Sequence, residues 1–302
     1  MTGVGATKSA PHALHEIHIF VGPIYVSPLG ISKEEEEKSQ AWKDFQRQVD
    51  LYKAMVELWN QLRPVFQERD AGIASHAEMK APVLTLIFRD GDGEKPVTVC
   101  QSARYVRCDD VEKVKEFCHE DAQFFTDQGL TVLREKIEAT AYGIQGVPQT
   151  AEEAAKFPDL YFEFHIKVQR EGDELDAEPK LITEREEKQL RQAANELSRQ
   201  LDIPIPLSYN REKNQSNLQN GGCQRYLNAR FYGKGMREIK PQLVKIQRAI
   251  DNLAEEEGEK YRVMKIISEY VWYDTLKSMD HGWIDYSPEE LAALKQRLAA
   301  AQ

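Results

Sequence analysis

A chain of 302 residues has room for two domains, each large enough to bury its own core. Hydrophobic residues make up 41% and charged residues 30%, the composition of a globular protein, and the net charge of −10 argues against a general binder of nucleic acid or anionic membranes. No apolar run approaches the roughly 18 residues of a membrane span.

Met1 to His12 is small and polar, without the apolar core of a signal peptide, and reads as the disordered start of a cytoplasmic protein. The first strand, Leu14 to Val21, carries Glu16-x-His18 on one face and Ile17, Ile19 and Val21 on the other. After a Gly/Pro-punctuated loop, Ser32 and Glu35 form a capping box, and Glu34 to Glu37 place negative charge on a first helical turn. Trp42, Phe45, Val49, Tyr52, Val56 and Trp59 then mark one helical face, up to an end or kink at Pro64. That stripe suits packing on a sheet, and its heptad spacing also suits a homodimer through the 42–59 face. Strands follow at 82–88 and 96–107, a helix at about 109–128 that stops at Gly129, and a fourth strand at 130–142. The order is β-α-β-β-α-β, the ferredoxin-like unit.

A linker at 144–159 is broken by Pro148 and Pro158 and holds one short helix capped by Thr150. The order then restarts. A strand at 160–168 carries Glu163-x-His165, 147 residues after the first copy. Thr183 and Glu186 repeat the capping box before a stripe of Leu190, Ala194, Leu197 and Leu201. A short strand at 204–209 contains two prolines, which suit a sheet edge. A strand at 223–232, a helix from about Lys240 and a strand at 261–274 complete the unit. Residues 275–302 form a C-terminal extension and helix, with Leu291, Leu294 and Leu298 on one face.

The expected fold class is therefore α+β. Two tandem ferredoxin-like modules, 13–143 and 160–274, are related by internal duplication, and their open sheet faces meet in a cleft or barrel-like interface. Landmarks repeat in order: Glu16-x-His18 with Glu163-x-His165, Ala103-Arg104-Tyr105 with Ala229-Arg230-Phe231, and Glu138 with Glu269. Four cysteines (Cys100, Cys108, Cys118, Cys223) show no zinc spacing. Cys100 and Cys108 sit roughly 26 Å apart along one strand, too far to bond, which suits a reducing compartment.

Alternation sends Ile17, Ile19 and Val21, and Phe164, Ile166 and Val168, under the helices. Glu16, His18, Glu163 and His165 then face the open side. Arg104 and Arg230 are expected beside them, with Glu138 and Glu269 from the fourth strands. Two histidines with arginines suit a small anionic ligand, Arg clamping a phosphate or carboxylate and the His pair acting as base and acid, with hydrolysis as one outcome. The layout is similar to that of two-histidine phosphoesterases, whose motif is His-x-Thr or His-x-Ser. Ile19-Phe20 and Ile166-Lys167 follow the histidines here, so the layout is shared without the hydroxyl. A second reading makes Glu16, His18, Glu163 and His165 ligands of a divalent metal. Paired-module metalloenzymes of the glyoxalase kind use such ligands from two repeats, but in β-α-β-β-β units. A third reading has the Glu-His-Arg network only staple two sheets together in a non-enzymatic interaction protein. No phosphate-loop, dinucleotide, nucleophile-elbow or His-Glu-x-x-His motif occurs, and no cofactor is named by the sequence.

Overall fold

The structure, a computed structural model, describes residues 13–26, 32–69, 77–80, 83–90, 93–141, 146–170, 181–210, 223–257 and 261–277. The expected disordered start, the 211–222 loop and the C-terminal helix at 287–302 lie outside these residues. The described residues form ten strands: β1 (Leu14–Val26), β2 (Ala77–Lys80), β3 (Val83–Asp90), β4 (Gly93–Gln101), β5 (Ala103–Arg107), β6 (Val132–Thr140), β7 (Tyr161–Arg170), β8 (Leu207–Asn210), β9 (Gln224–Tyr232) and β10 (Tyr261–Asp274). The described helices are α1 (Lys33–Lys38), α2 (Gln40–Arg69), α3 (Val111–Asp127), α4 (Ala151–Ala154), α5 (Glu184–Leu201) and α6 (Met236–Glu257).

Every strand pairing is antiparallel, and the pairings close a ring. From β1 the order runs β4, β3, β8, β9, β7, β10 and β6, and β6 returns to β1. Each half supplies four neighbouring strands in the ferredoxin-like order, β6-β1-β4-β3 and β10-β7-β9-β8. The halves join where β6 meets β10 and where β3 meets β8. β5 extends β4 along β1, and β2 extends that sheet outside the ring. A ring of eight strands leaves an interior that side chains can fill, or one small ligand can occupy.

Strand alternation decides what lies on each side of this wall. Ile17, Ile19 and Val21 on β1, and Phe164, Ile166 and Val168 on β7, are at most 1% exposed on the outer surface, where the helices cover them. α2 packs on β1 and β2, α3 on β1 and β6, α5 on β8 and α6, and α6 on β10. Trp42, Phe45, Val49, Tyr52, Val56 and Trp59 are all buried in this outer core. The 42–59 face is therefore used up by packing and is not an open dimer surface.

Local signals act as expected at the helix ends. Both capping boxes form, at Ser32 with Glu35 and at Thr183 with Glu186. Asp110 caps α3 through the amides of Glu112 and Lys113, and α3 ends before Gly129 at φ +84°. Thr150 caps α4, and the segment before α4 is pinned to α6: the amides of Met236 and Arg237 donate to the carbonyls of Pro148 and Gln149. A Cβ at Gly235 would stand 2.2 Å from Thr150 N, so this approach requires glycine.

Three expectations give way to tertiary context. Of the end or kink expected at Pro64, the end does not occur: α2 runs on to Arg69, because a proline close to a helix end removes one hydrogen bond without breaking the packed face before it. β8 is not a sheet edge. Pro204 and Pro206 precede it and use their carbonyls to accept from Arg230 N and Asn228 N, while β8 itself pairs with both β3 and β9. Third, Arg104 lies on the helix side of the wall. Cross-strand partners share a face, and Arg104 opposes Ile17, whereas Tyr105 opposes Glu16. In the other half Arg230 opposes Glu163, so the positional counterpart of Arg230 is Tyr105. The Ala-Arg-aromatic match is out of step by one residue, which exchanges the two faces.

Arg104 is 2% exposed and donates from Nη1 to Asp121 Oδ1 at 2.6 Å, beneath the rings of Trp59 and Phe117. Replacing Asp121 with Ala strands that guanidinium in an apolar layer. A denaturant titration of Asp121→Ala is expected to show a loss of about 3–5 kcal/mol, and the double change Arg104→Met with Asp121→Leu to recover most of it. A loss below about 1 kcal/mol in the single variant contradicts the buried pair.

Candidate functional site

The inner face of the ring lines a half-open cavity of about 260 Å³. Its wall takes alternate residues from each strand: Glu16, His18 and Phe20 from β1, Arg134, Lys136 and Glu138 from β6, Glu163 and His165 from β7, Asn228 and Arg230 from β9, and Glu269 from β10. Gln101, Tyr105 and Ser208 also line it. Of the eight residues singled out by sequence, the structure brings Glu16, His18, Glu138, Glu163, His165, Arg230 and Glu269 to one cavity, and leaves Arg104 outside.

The charges are paired within the wall. Lys136 Nζ contacts Glu138 Oε2 and donates to Glu163 Oε2 at 2.6 Å. Arg230 donates to Glu163 Oε1 from Nε at 2.9 Å and lies 2.8 Å away through Nη2. Arg134 donates from Nε and Nη2 to Asp274, at 2.8 and 2.5 Å, and the Tyr161 hydroxyl donates to the same carboxylate at 2.9 Å. Glu138 and Glu163 gain from this. Burial alone would favour their neutral forms, but Lys136 and His18 hold Glu138, and Arg230 and Lys136 hold Glu163, well below the usual carboxylate range.

The two histidines are mounted alike. His18 places Nδ1 2.9 Å from the Ser102 carbonyl and Nε2 2.7 Å from Glu138 Oε1, with Glu16 Oε1 at 3.5 Å. His165 places Nδ1 2.6 Å from Asn228 Oδ1 and Nε2 3.0 Å from Glu269 Oε2. Burial disfavours both imidazolium ions, yet Glu138 and Glu16 raise the pKa of His18, and Glu269 with Glu163 raises that of His165 to about 10. Burial and the nearby Glu138 push Glu269 up to about 7 despite His165. Two sets of donors converge closely enough to hold a metal: Glu16, His18 and Glu138, and Glu138, His165 and Glu269, each within 4.8 Å. Glu163 belongs to neither set, and Lys136 and Arg230 contact it.

No protein-family model matches the chain, and no curated protein matches it. Solved structures overlap it only loosely. A heme-binding protein from Thermus thermophilus is 12% identical over 88% of this chain and 93% of its own, with a TM-score of 0.22. A variant chlorite dismutase from Candidatus Nitrospira defluvii is 10% identical over 96% and 97%, with a TM-score of 0.24. Overlaps this loose say nothing of what this chain binds.

Several wall residues escaped the sequence reading. Lys136 sits between Arg134 and Glu138 at the strand period of two, so alternation on β6 was a usable signal for it. Asn228 stands in the same relation to Arg230 on β9. Tyr105, which hydrogen-bonds Glu16, was hidden by the one-residue slip. Outside the wall, Asp121 lies among the buried residues Val114, Phe117, Cys118 and Phe125 of α3, and an acid on an apolar stripe signals a buried partner.

Histidine environments of opposite kind give opposite pH effects. His15 faces outward, accepts from Trp272 Nε1 at Nδ1, and is pushed down to about 4 by burial. In a histidine-selective NMR titration of chelator-treated protein, His165 is expected to keep its proton past pH 8 and His15 to stay neutral down to about pH 4. His165 has a folded value above its unfolded value of about 6.5, so its stabilisation is full below that pH and is lost as pH rises towards 10. His15 has a folded value below it, so stability falls as pH drops from about 6.5 to 4. Titration of either ring near 6.5 contradicts these surroundings.

Proposed function

We propose that the barrel interior binds a small anionic molecule, bearing phosphate or carboxylate, with Arg230, Arg134 and Lys136 supplying positive charge and His18 and His165 as the proton-carrying groups. The observation that carries this reading is the composition of the wall. Five basic side chains (His18, Arg134, Lys136, His165, Arg230) match five carboxylates, Asp274 on Arg134 included, inside a chain whose net charge is −10. Both histidines are biased towards the charged form, which favours an anion over a neutral guest. The cavity lies just below the roughly 300–1,000 Å³ of drug-sized sites, which restricts the guest to a small metabolite. With a pair of imidazoles presented to it, such a guest is open to acid–base chemistry, including hydrolysis.

We also read the two halves as an internal duplication. Support comes from their common strand order, and from the register that sets Glu16 opposite Glu138 and Glu163 opposite Glu269.

A stapling role is the competing account, favoured by the pairing of Lys136 and Arg230 with Glu163 and of Arg134 with Asp274. Inorganic phosphate and oxalate, titrated in a thermal-shift assay with EDTA present, separate the two. A ligand at 100 times its Kd stabilises by about 2.7 kcal/mol, which raises Tm by several degrees. Arg230→Met is expected to lower Tm and abolish the shift. No shift in the native chain, or a shift that survives Arg230→Met, favours the staple.

A further inference from the structure

The carboxylates at the His18 end of the cavity remain unexplained by anion binding. Glu16, Glu138 and Glu269 converge there, and three acids this close repel one another. We infer that this end is a site for a divalent transition-metal ion, with Glu138 as the ligand common to both halves, Glu16 and His18 joining it from β1, and His165 and Glu269 from β7 and β10. This site shares His18 and His165 with the anion reading but uses neither Arg230 nor Arg134.

Spacing permits it. With metal–ligand distances near ~2.1 Å, neighbouring donors in tetrahedral or octahedral coordination lie about 3.0–3.4 Å apart. The donor separations are 2.7 Å for His18 Nε2 to Glu138, 3.5 Å for His18 Nε2 to Glu16 and 3.0 Å for His165 Nε2 to Glu269. Hydrogen bonds span the same range, so spacing alone decides nothing.

Orientation is what distinguishes the site. Metal-bound imidazoles hold their other ring nitrogen on an oxygen acceptor, which fixes the tautomer and aims the free nitrogen. Both histidines have this arrangement, and they reach it by different means. His18 uses the Ser102 carbonyl, and His165 uses the Asn228 side chain, which Ser208 Oγ orients in turn at 2.7 Å. Each anchor lies outside the carboxylate group, and each Nε2 points into it.

The donor set also selects the ion. Imidazole nitrogen with carboxylate oxygen, and no thiolate, suits Mn²⁺, Fe²⁺, Co²⁺ or Zn²⁺, whereas Ca²⁺ and Mg²⁺ favour oxygen alone.

Chelator-treated full-length protein, titrated with Zn²⁺ and with Mn²⁺ by calorimetry in phosphate-free chloride buffer, tests the site with the metal as the only probe. At least one ion per chain is expected, and pulsed EPR of the Mn²⁺ form is expected to show imidazole-nitrogen coupling. Glu138→Gln is expected to abolish binding, but it also removes a partner of Lys136 and risks unfolding. Glu16→Gln and His165→Asn spare the Lys136 contacts. Each is expected to weaken binding at least roughly 10-fold, and His165→Asn to reduce the nitrogen coupling. Absence of binding in the native chain overturns the proposal, as does unchanged affinity in both of these variants. Because Glu16→Gln leaves Arg230 in place, a phosphate response that persists while metal affinity falls separates this site from the anion reading.

Discussion

The ammonium of Lys136 lies between Glu138 on its own strand and Glu163 on β7, and through it the two halves of the chain share one polar interior. Taking an amine this deep into a protein costs several kcal/mol, and only close carboxylates offset it. Two are present, and each is committed again: Glu163 to Arg230, and Glu138 to His18. The network alternates in sign from β9 through β7 and β6 to β1. Remove Lys136, and Glu163 keeps Arg230 and Glu138 keeps His18, each with one counterion fewer.

This polar interior inverts the usual division of a globular fold. The apolar face of each strand turns outward to meet helices, and the polar face turns inward to the cavity. A single sheet with such a face would leave it to solvent, or to another chain. Closing eight strands into a ring gives that face a defined volume of about 260 Å³ and places residues distant in sequence opposite one another. The proposed proton carriers His18 and His165 then sit on strands of the wall, rather than on loops.

Much of this was legible in the sequence wherever the determinant is local. The Glu-x-His strands alternate cleanly, so the inward course of Glu16, His18, Glu163 and His165 follows from the period of two alone. The capping boxes at Ser32 and Thr183 are equally local. What failed depended on partners. Matching three residues to Ala229-Arg230-Phe231 puts Arg104 on the inner face, but its face is set by its register against Ile17, which no local pattern carries. The prolines before β8 suggest an edge because closure of the ring is a long-range event. Lys136 reads as one charge among many until Glu163, on a strand of the other half, gives it a partner.

Contact between the halves inside the ring is the central claim, and a double-mutant cycle on Lys136→Met and Glu163→Leu reads that contact directly. Each single change takes one counterion from a buried charge and is expected to cost about 1–3 kcal/mol of unfolding free energy. The double variant should lose less than the two losses combined, with a coupling of about 1–3 kcal/mol. Losses that add to within about 0.5 kcal/mol would mean that Lys136 and Glu163 do not meet, and the shared interior would have to be abandoned.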